Sequence, residues 1–138
     1  MNFEELGLKP EILRAITDLG FTSPTPIQEK AIPMIIGGNT DMVGLAQTGT
    51  GKTAAFGLPL LNLVDFNSKS TQALVLCPTR ELCNQITADL TAMSKYLGNS
   101  NIVAVYGGAS IENQARQVRR GAQIVVATPG RLMDLMER

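Results

Sequence analysis

Apolar residues recur every three or four positions between Pro10 and Gly20, which is the spacing of one helix face. Proline favours the first helical turn, and glycine favours the position just past the last. This pattern predicts a helix over Pro10–Leu19. Its apolar face consists of Ile12, Leu13, Ile16 and Leu19.

Beyond residue 40 the pattern changes to short apolar runs, each followed by a stretch with helical spacing. Their length, their valine and isoleucine content and their lack of clean alternation predict strands buried on both faces. Strand–helix alternation predicts an α/β fold, a parallel sheet with helices on both faces, whose ligands bind at the carboxyl ends of the strands. The runs are Asp41–Leu45, Ala73–Cys77, Ile102–Val105 and Ile124–Ala127, and the informative loops are residues 46–53, 78–80 and 128–131.

Two helices between these runs have defined starts. The strongest helical pattern predicts a helix over Arg80–Leu97, with Thr79 as its N-cap. Ser110 is predicted to cap the following helix, which extends through Arg120. The apolar face of the first of these helices consists of Leu82, Ile86, Leu90, Met93 and Leu97.

Composition narrows the class of protein. The 138 residues are 44% apolar, enough for one domain with a core, and 12 basic side chains balance 12 acidic ones. Nucleic-acid binding would therefore need a local basic patch. The absence of histidine excludes Ser-His and Cys-His catalysis. Cys77 and Cys83 are too few for a structural zinc site and are expected to be free thiols.

No apolar run reaches the roughly 18 residues that span a membrane, and the N-terminus lacks a signal-peptide pattern. We therefore expect a cytoplasmic protein without a membrane partner.

The stretch AQTGTGKT, residues 46–53, has the composition of a phosphate-binding loop that leads into a helix. Gly49 and Gly51 would let the backbone approach a phosphate, Lys52 could reach the β- and γ-phosphates, and the Thr53 hydroxyl could bind Mg²⁺. The alternative is a glycine- and threonine-rich turn with an incidental lysine. The usual template has glycine where Ala46 stands.

The stretch GFTSPTPIQ, residues 20–28, has two interpretations. A helix is predicted to begin after Thr25, with Pro26 first, and Pro33 should kink or shorten it. Thr25 and Gln28 then form a capping box. Alternatively, Gln28 offers the donor and acceptor that match adenine. Phe3 is either a core side chain or a ring that stacks on a base.

Together these elements resemble the DEAD-box family of RNA helicases, with the bacterial type most similar. GFTSPTPIQ resembles the family's Q motif, and Phe3 lies 17 residues before Gly20, where the family has an adenine-stacking aromatic residue. AQTGTGKT resembles motif I, including its first alanine. PTREL, Gly107-Gly108 and TPGR resemble motif Ia, the GG element and motif Ib. The five elements cover nearly the whole chain in the family's order, and Cys83 and Asn84 occupy variable positions.

The resemblance implies ATP and Mg²⁺ as cofactors and RNA as a partner that is bound through its backbone, with little sequence preference. Lys52 and Thr53 would be catalytic, and Thr53 would also bind the metal. The nucleotide would contact Phe3, Gln28, Ala46, Gln47, Thr48, Gly49, Thr50, Gly51, Lys52 and Thr53. RNA would contact Pro78, Thr79, Arg80, Gly108, Thr128, Gly130 and Arg131.

The residues alone leave alternatives open for several of these positions. TPGR by itself is equally typical of a turn between a strand and a helix. Arg80 could be an ordinary first-turn residue. The charged run at Arg116, Arg119 and Arg120 is interpreted as a solvated helix face and not as part of the RNA site.

The resemblance also implies a RecA-like P-loop domain truncated before the Walker B strand. Residues 1–29 would be the Q-motif region and residues 30–138 the P-loop core fragment. No Asp-Glu-Ala-Asp sequence is present, so Mg²⁺ would lack a carboxylate partner and the attacking water its base. We therefore expect the chain alone to be inactive, to need the second RecA-like domain, and to self-associate through an exposed strand edge. The alternatives are a non-catalytic adenine-nucleotide-binding module and a P-loop kinase or GTPase.

Overall fold

The structure is a computed structural model that describes residues 1–38, 41–44 and 51–137. The chain divides into two compact units. The first unit comprises Met1–Leu63 and Ala92–Leu97, and the second comprises Val64–Thr91 and Gly98–Arg138.

The first unit is helical. It begins with a short 3₁₀ helix, Phe3–Leu6, followed by α1 (Pro10–Asp18), α2 (Pro26–Gly37) and α3 (Lys52–Leu63). Pro10 occupies the first turn of α1, as predicted, and the helix ends one residue before the predicted Leu19. The core of this unit includes the fully buried Ile12, Ile16, Ile32, Leu58 and Leu61.

The second helix continues past its internal proline. Pro33 lies inside α2, yet the helix continues to Gly37, so of the two predicted effects, a kink or a shorter helix, the shortening is wrong. Pro33 itself is exposed, while Ala31 and Ile32 beside it are buried. Packing of these neighbours therefore holds the helix together past the missing backbone N–H.

The second unit contains a three-stranded parallel sheet, which confirms the predicted α/β class. Its strands lie in the order β1 (Ala73–Leu76), β3 (Ile124–Ala127), β2 (Ile102–Val105). Ala73, Ile124 and Ile102 lie side by side at one end, and Leu76, Ala127 and Val105 at the other, so the carboxyl ends of the strands are aligned. The elements are β1 (Ala73–Leu76), α4 (Arg80–Met93, whose last two residues belong to the first unit), β2 (Ile102–Val105), α5 (Ile111–Arg119), β3 (Ile124–Ala127) and α6 (Pro129–Met136).

Burial differs between the strands. β3 lies in the middle and is buried throughout, as predicted. β1 is different, because Leu74 is 49% exposed and Leu76 56% exposed. The prediction of burial on both faces is therefore wrong for β1, which lies at an edge of the described sheet with one face uncovered.

The first apolar run does not form the predicted strand where it is described. Residues 41–44 have no strand assignment, Val43 is 89% exposed, and Leu45 lies outside the described residues. A strand requires a hydrogen-bonded neighbour, and none of the three strands pairs with this segment.

The predicted caps of α4 and α5 are confirmed. The Leu82 N–H donates to Thr79 Oγ1 at 3.2 Å, and the Asn113 N–H donates to Ser110 Oγ at 3.2 Å. α4 ends at Met93 and not at Leu97, whose N–H bonds back to Ser94 O in a turn. α5 ends at Arg119, one residue before the predicted Arg120. Leu82 is 41% exposed although it belongs to the predicted apolar face of α4.

A buried amide fixes the amino end of β3. Gln123 is 1% exposed, and its Nε2 donates to Ser68 O at 3.0 Å and Asn99 O at 3.1 Å. Its Oε1 accepts from the Asn101 N–H at 2.9 Å. Gln123 therefore ties two loops to the central strand. Across residues 1–38, 41–44 and 51–137, no helix is long and apolar enough to cross a membrane.

Candidate functional site

The end of the predicted phosphate loop forms the amino terminus of α3. Gly51 precedes the helix with φ +84°, and its carbonyl accepts the Ala55 N–H at 3.1 Å. Lys52 is exposed and Thr53 half-buried in the first turn, where free backbone N–H groups and the helix dipole favour an anion. Outside the described residues lie Ala46, Gln47, Thr48, Gly49 and Thr50.

Gln28 connects the start of α2 to this loop. Gln28 Oε1 accepts the Thr25 N–H at 3.0 Å, and the Gln28 N–H donates to Thr25 Oγ1 at 3.4 Å, so the predicted capping box is present. Gln28 Nε2 donates to Gly51 O at 3.3 Å. Oε1 keeps a second lone pair and Nε2 a second hydrogen for which the described residues provide no hydrogen-bond partner. Capping therefore leaves hydrogen-bonding capacity for adenine, and adenine recognition stays a prediction that requires access to a side chain only 3% exposed.

Glycine is required at position 51 for two reasons. The positive φ is unfavourable for residues with a Cβ. A Cβ there would also lie 2.4 Å from Gln28 Nε2. The Gln28 amide therefore packs directly against the loop backbone. Such close packing fits a loop whose backbone must approach a phosphate.

Phe3 is in the core. It is 4% exposed, and its ring centroid lies 6.0 Å from that of Phe21 with the planes tilted by 50°. This position matches the core interpretation. Stacking on a base stays a prediction, and it requires one face of the ring to become accessible.

A cavity of about 350 Å³ lies beside Lys52 in the first unit. Apart from Lys52 its wall is apolar, with Ile27 and Ile35 from α2 and Met42 from the segment predicted as a strand. Such a lining suits an apolar side chain better than a nucleotide. The sequence did not predict it.

Arg80 and the GG turn lie together in the second unit. The Arg80 guanidinium carbon is 4.8 Å from the centroid of the Tyr106 ring, within cation–π range. A Cβ on Gly108, which has φ +84°, would lie 3.6 Å from Arg80 Nη1. The fold therefore brings the predicted motif Ia and GG residues to one place, at the carboxyl ends of β1 and β2.

The other predicted backbone-binding residues lie at helix starts. Pro78 and Thr79 are exposed before α4, and Thr128 and Gly130 lie at the start of α6, after β3. A Cβ on Gly130 would meet no heavy atom within 4 Å. Thr128 caps α6 with its backbone position only, without a side-chain hydrogen bond.

Arg131 is held within the second unit. Its Nη1 donates to Ala109 O at 3.0 Å and to Gln114 Oε1 at 2.8 Å, and its side chain is 11% exposed. Arg131 Nε lies 3.9 Å from Asp134 Oδ2 and has no hydrogen-bond partner in the part of the chain that the structure describes. The guanidinium is thus fixed by its Nη1 end.

Gln114 and Tyr106 are the residues that sequence reasoning missed at this surface. One signal was available for Gln114. It completes the i, i+3, i+4, i+7 spacing of the apolar face of α5, which consists of Ile111, Gln114, Ala115 and Val118. A polar residue on such a face needs partners. Tyr106 had no comparable signal.

The cysteines are free and buried, as predicted. Burial, with a smaller contribution from a hydrogen bond to Cys77, raises the pKa of Cys83 to about 12. The Cys83 thiol is therefore protonated at neutral pH. Among the described residues no three His, Cys, Asp or Glu side chains come together as a metal site.

Comparison with known proteins identifies the family. The family model of the DEAD/DEAH box helicase matches residues 25–138. The chain belongs to this family. It is 52% identical over 136 residues to the ATP-dependent RNA helicase DeaD of Klebsiella pneumoniae, covering 99% of this chain and 21% of that protein. The DeaD helicase of Escherichia coli is also 52% identical, with 99% and 22% covered. The chain thus spans about a fifth of the length of these relatives.

Solved structures show the same fold. A DEAD box protein from Methanococcus jannaschii superposes with a TM-score of 0.94 at 43% identity, covering 100% of this chain and 37% of that one. The RNA helicase Prp28 from Chaetomium thermophilum, bound to ADP, has a TM-score of 0.86 at 45% identity, covering 99% and 34%. The predicted RecA-like class is confirmed.

Proposed function

We propose that this chain is the ATP- and RNA-backbone-binding part of an ATP-dependent RNA helicase that remodels RNA duplexes in the cytoplasm. It would form part of the first RecA-like domain, with residues 1–29 as the Q-motif region and residues 30–138 as the P-loop core. The observation that carries the proposal is the 3.3 Å contact of Gln28 Nε2 with Gly51 O. This contact supports the proposal because it joins the side chain that would read adenine to the loop that would hold the phosphates.

The nucleotide would be ATP with Mg²⁺. Gln28 would read adenine with its free lone pair and hydrogen, which GTP does not match, and Phe3 would stack on the base. Lys52 and the helix terminus would neutralise the phosphates, and Thr53 would bind the metal. When bound, Mg²⁺ would withdraw charge from the phosphate oxygens. The remaining loop contacts would come from Ala46, Gln47, Thr48, Gly49, Thr50 and Gly51.

RNA would bind through its sugar–phosphate backbone at the second unit. Arg80, Arg131 and the amino ends of α4 and α6 offer positive charge and N–H donors. Backbone contacts position RNA without reading its sequence. The remaining contacts would come from Pro78, Thr79, Gly108, Thr128 and Gly130.

The second RecA-like domain is the partner that this function needs. The 138 residues contain no Asp-Glu-Ala-Asp sequence, so we propose that they bind nucleotide without turnover. β1 lies at an edge of the described sheet with Leu74 and Leu76 exposed, which supports self-association through a strand edge. Light scattering across a concentration series tests this, and a stable monomer at high concentration contradicts it.

An ATPase and binding assay tests the proposal as a whole. We expect the chain to bind a fluorescent ATP analogue in preference to the GTP analogue, to lose that preference in Gln28→Ala, and to show no RNA-stimulated phosphate release. Equal binding of GTP with no effect of Gln28→Ala would refute the adenine assignment. Turnover abolished by Lys52→Ala would refute the claim that the chain alone is inactive.

A further inference from the structure

Gln114 is a buried polar residue on the apolar face of α5. It is only 6% exposed, and Ala115 beside it is also buried. Burial of an amide costs free energy unless its donor and acceptor are both bonded. Its partners therefore indicate what the residue does.

Both ends of the amide are bonded, to different parts of the predicted RNA surface. Gln114 Nε2 donates to Tyr106 O at 3.1 Å, and Gln114 Oε1 accepts from Arg131 Nη1 at 2.8 Å. A carbonyl can only accept and a guanidinium can only donate, so the orientation of the amide is fixed by chemistry. Neither a carboxylate nor an apolar side chain of this length could satisfy both partners.

The Arg131 contact fixes the guanidinium by its Nη1 end. Nη1 has two hydrogens, and Gln114 and Ala109 O accept them. Nε is buried and lacks a hydrogen-bond partner within the described ranges. Asp134 Oδ2 lies 3.9 Å from Nε, too far for a hydrogen bond, so the guanidinium keeps the capacity to donate to a phosphate oxygen.

Through Tyr106, Gln114 also affects the position of the second arginine, Arg80. Gln114 holds the backbone of Tyr106 at the end of β2, and the Tyr106 ring lies under the Arg80 guanidinium. Gly108, two residues further on, passes close to Arg80 Nη1. The position of Arg80 therefore depends on a backbone segment that Gln114 anchors.

We propose that Gln114 is a positioning residue for RNA binding, which orients Arg131 directly and Arg80 through Tyr106. The inference rests on the proposed function, because it explains what fixes the orientation of the two arginines that would hold the RNA backbone. Gln114 itself does not contact RNA.

RNA binding by the 138-residue chain provides the first test. The affinity for a fluorescein-labelled single-stranded RNA is measured at several salt concentrations for Gln114→Met. We expect about tenfold weaker binding, and a salt dependence that is shallower by about 0.7 in log affinity per log salt for each phosphate that the variant no longer neutralises. Gln117→Met, the same substitution at an exposed position of α5, should change neither value. Weaker binding with an unchanged slope would overturn the proposal, since partial unfolding alone gives that result.

Two further variants separate the contact of Gln114 with Arg131 from its contact with Tyr106. Gln114→Glu keeps an acceptor for Arg131 but loses the donor to Tyr106 and adds a negative charge beside the guanidinium, so it should keep Arg131 in place without restoring the salt slope. In an Arg131→Ala background, Gln114→Met should weaken RNA binding by a clearly smaller factor than it does in the wild type. Full additivity would overturn the proposal.

A measurement without RNA keeps this inference distinct from the proposed function. In ¹H–¹⁵N NMR spectra of arginine side chains, the wild-type Arg131 Nη1 hydrogens should exchange slowly, and Gln114→Met should average them. An unchanged Arg131 signal would overturn the positioning role whether or not RNA binds. A changed signal in a chain that does not bind RNA would uphold the orientation of Arg131 by Gln114 and refute the proposal that this chain by itself binds the RNA backbone.

Discussion

Replacement of Gly51 by alanine tests the link between Gln28 and the phosphate loop. The new Cβ would lie 2.4 Å from Gln28 Nε2, in a backbone conformation with φ +84°. The positive φ alone costs about 1–2 kcal/mol for a residue with a side chain. Gln28 must also move, although it is 3% exposed and bonded to Thr25 and Gly51. Loss of its two bonds through the amide adds about 1–2 kcal/mol.

The expected result is a loss of about 2–4 kcal/mol in the free energy of unfolding, measured by urea denaturation followed by far-UV circular dichroism. Gly37→Ala is the control, because a Cβ at the end of α2 meets no heavy atom within 4 Å and Gly37 lacks a positive φ. This control should be neutral or stabilising by up to about 1 kcal/mol.

A double-mutant cycle decides whether the contact is the cause. In a Gln28→Ala background only the backbone cost remains, so Gly51→Ala should cost about 1–2 kcal/mol, and the coupling should be about 1–2 kcal/mol. If the two substitutions are additive within about 0.5 kcal/mol, the close approach does not carry the effect and the reasoning is refuted.

Three further predictions concern stability and pH. Gln123→Leu removes three part-buried hydrogen bonds to backbone groups and should cost about 3 kcal/mol by urea denaturation. Gln117→Leu, on the exposed side of α5, should be within about 0.5 kcal/mol of wild type. The pKa of Cys83 is raised from 9.0 to about 12, so the contribution of its buried thiol to stability is full below pH 9 and is lost as pH rises towards 12. A thiol reagent at pH 8 should label Cys83 only when the chain unfolds. Rapid labelling of the native chain would contradict this. Hydrogen bonds from Tyr96 and, with a smaller effect, from Lys95 lower the pKa of Asp18 below 3.8, so the contribution of its carboxylate to stability is present above that pH and is lost as pH falls. Asp18→Asn should therefore flatten the acid side of a plot of unfolding free energy against pH. An unchanged plot would count against the contact of Asp18 with Tyr96 and Lys95.

Much of the local structure could be predicted because it depends on neighbours in sequence. Pro10, the Thr25–Gln28 capping box and the Thr79 and Ser110 caps set helix starts through contacts over three or four residues. Short apolar runs alternate with stretches of helical spacing, and this pattern of residues near in sequence predicted the parallel sheet.

Other features depend on which segments meet. The sequence of Asp41–Leu45 matches a buried strand, but a strand exists only beside a partner, and residues 41–44 have none among the described strands. β1 has as apolar a sequence as β3, yet only β3 lies in the middle of the sheet. Position in the sheet therefore decided burial.

The sequence by itself determined the family and the candidate residues, because motif spacing and residue chemistry are local properties. Tertiary structure decided how these residues are held. It placed the Gln28 amide against Gly51 and inserted Gln114 between Tyr106 and Arg131. These contacts join segments 8 to 23 residues apart, and no periodicity encodes them because each depends on the packing of whole helices and strands.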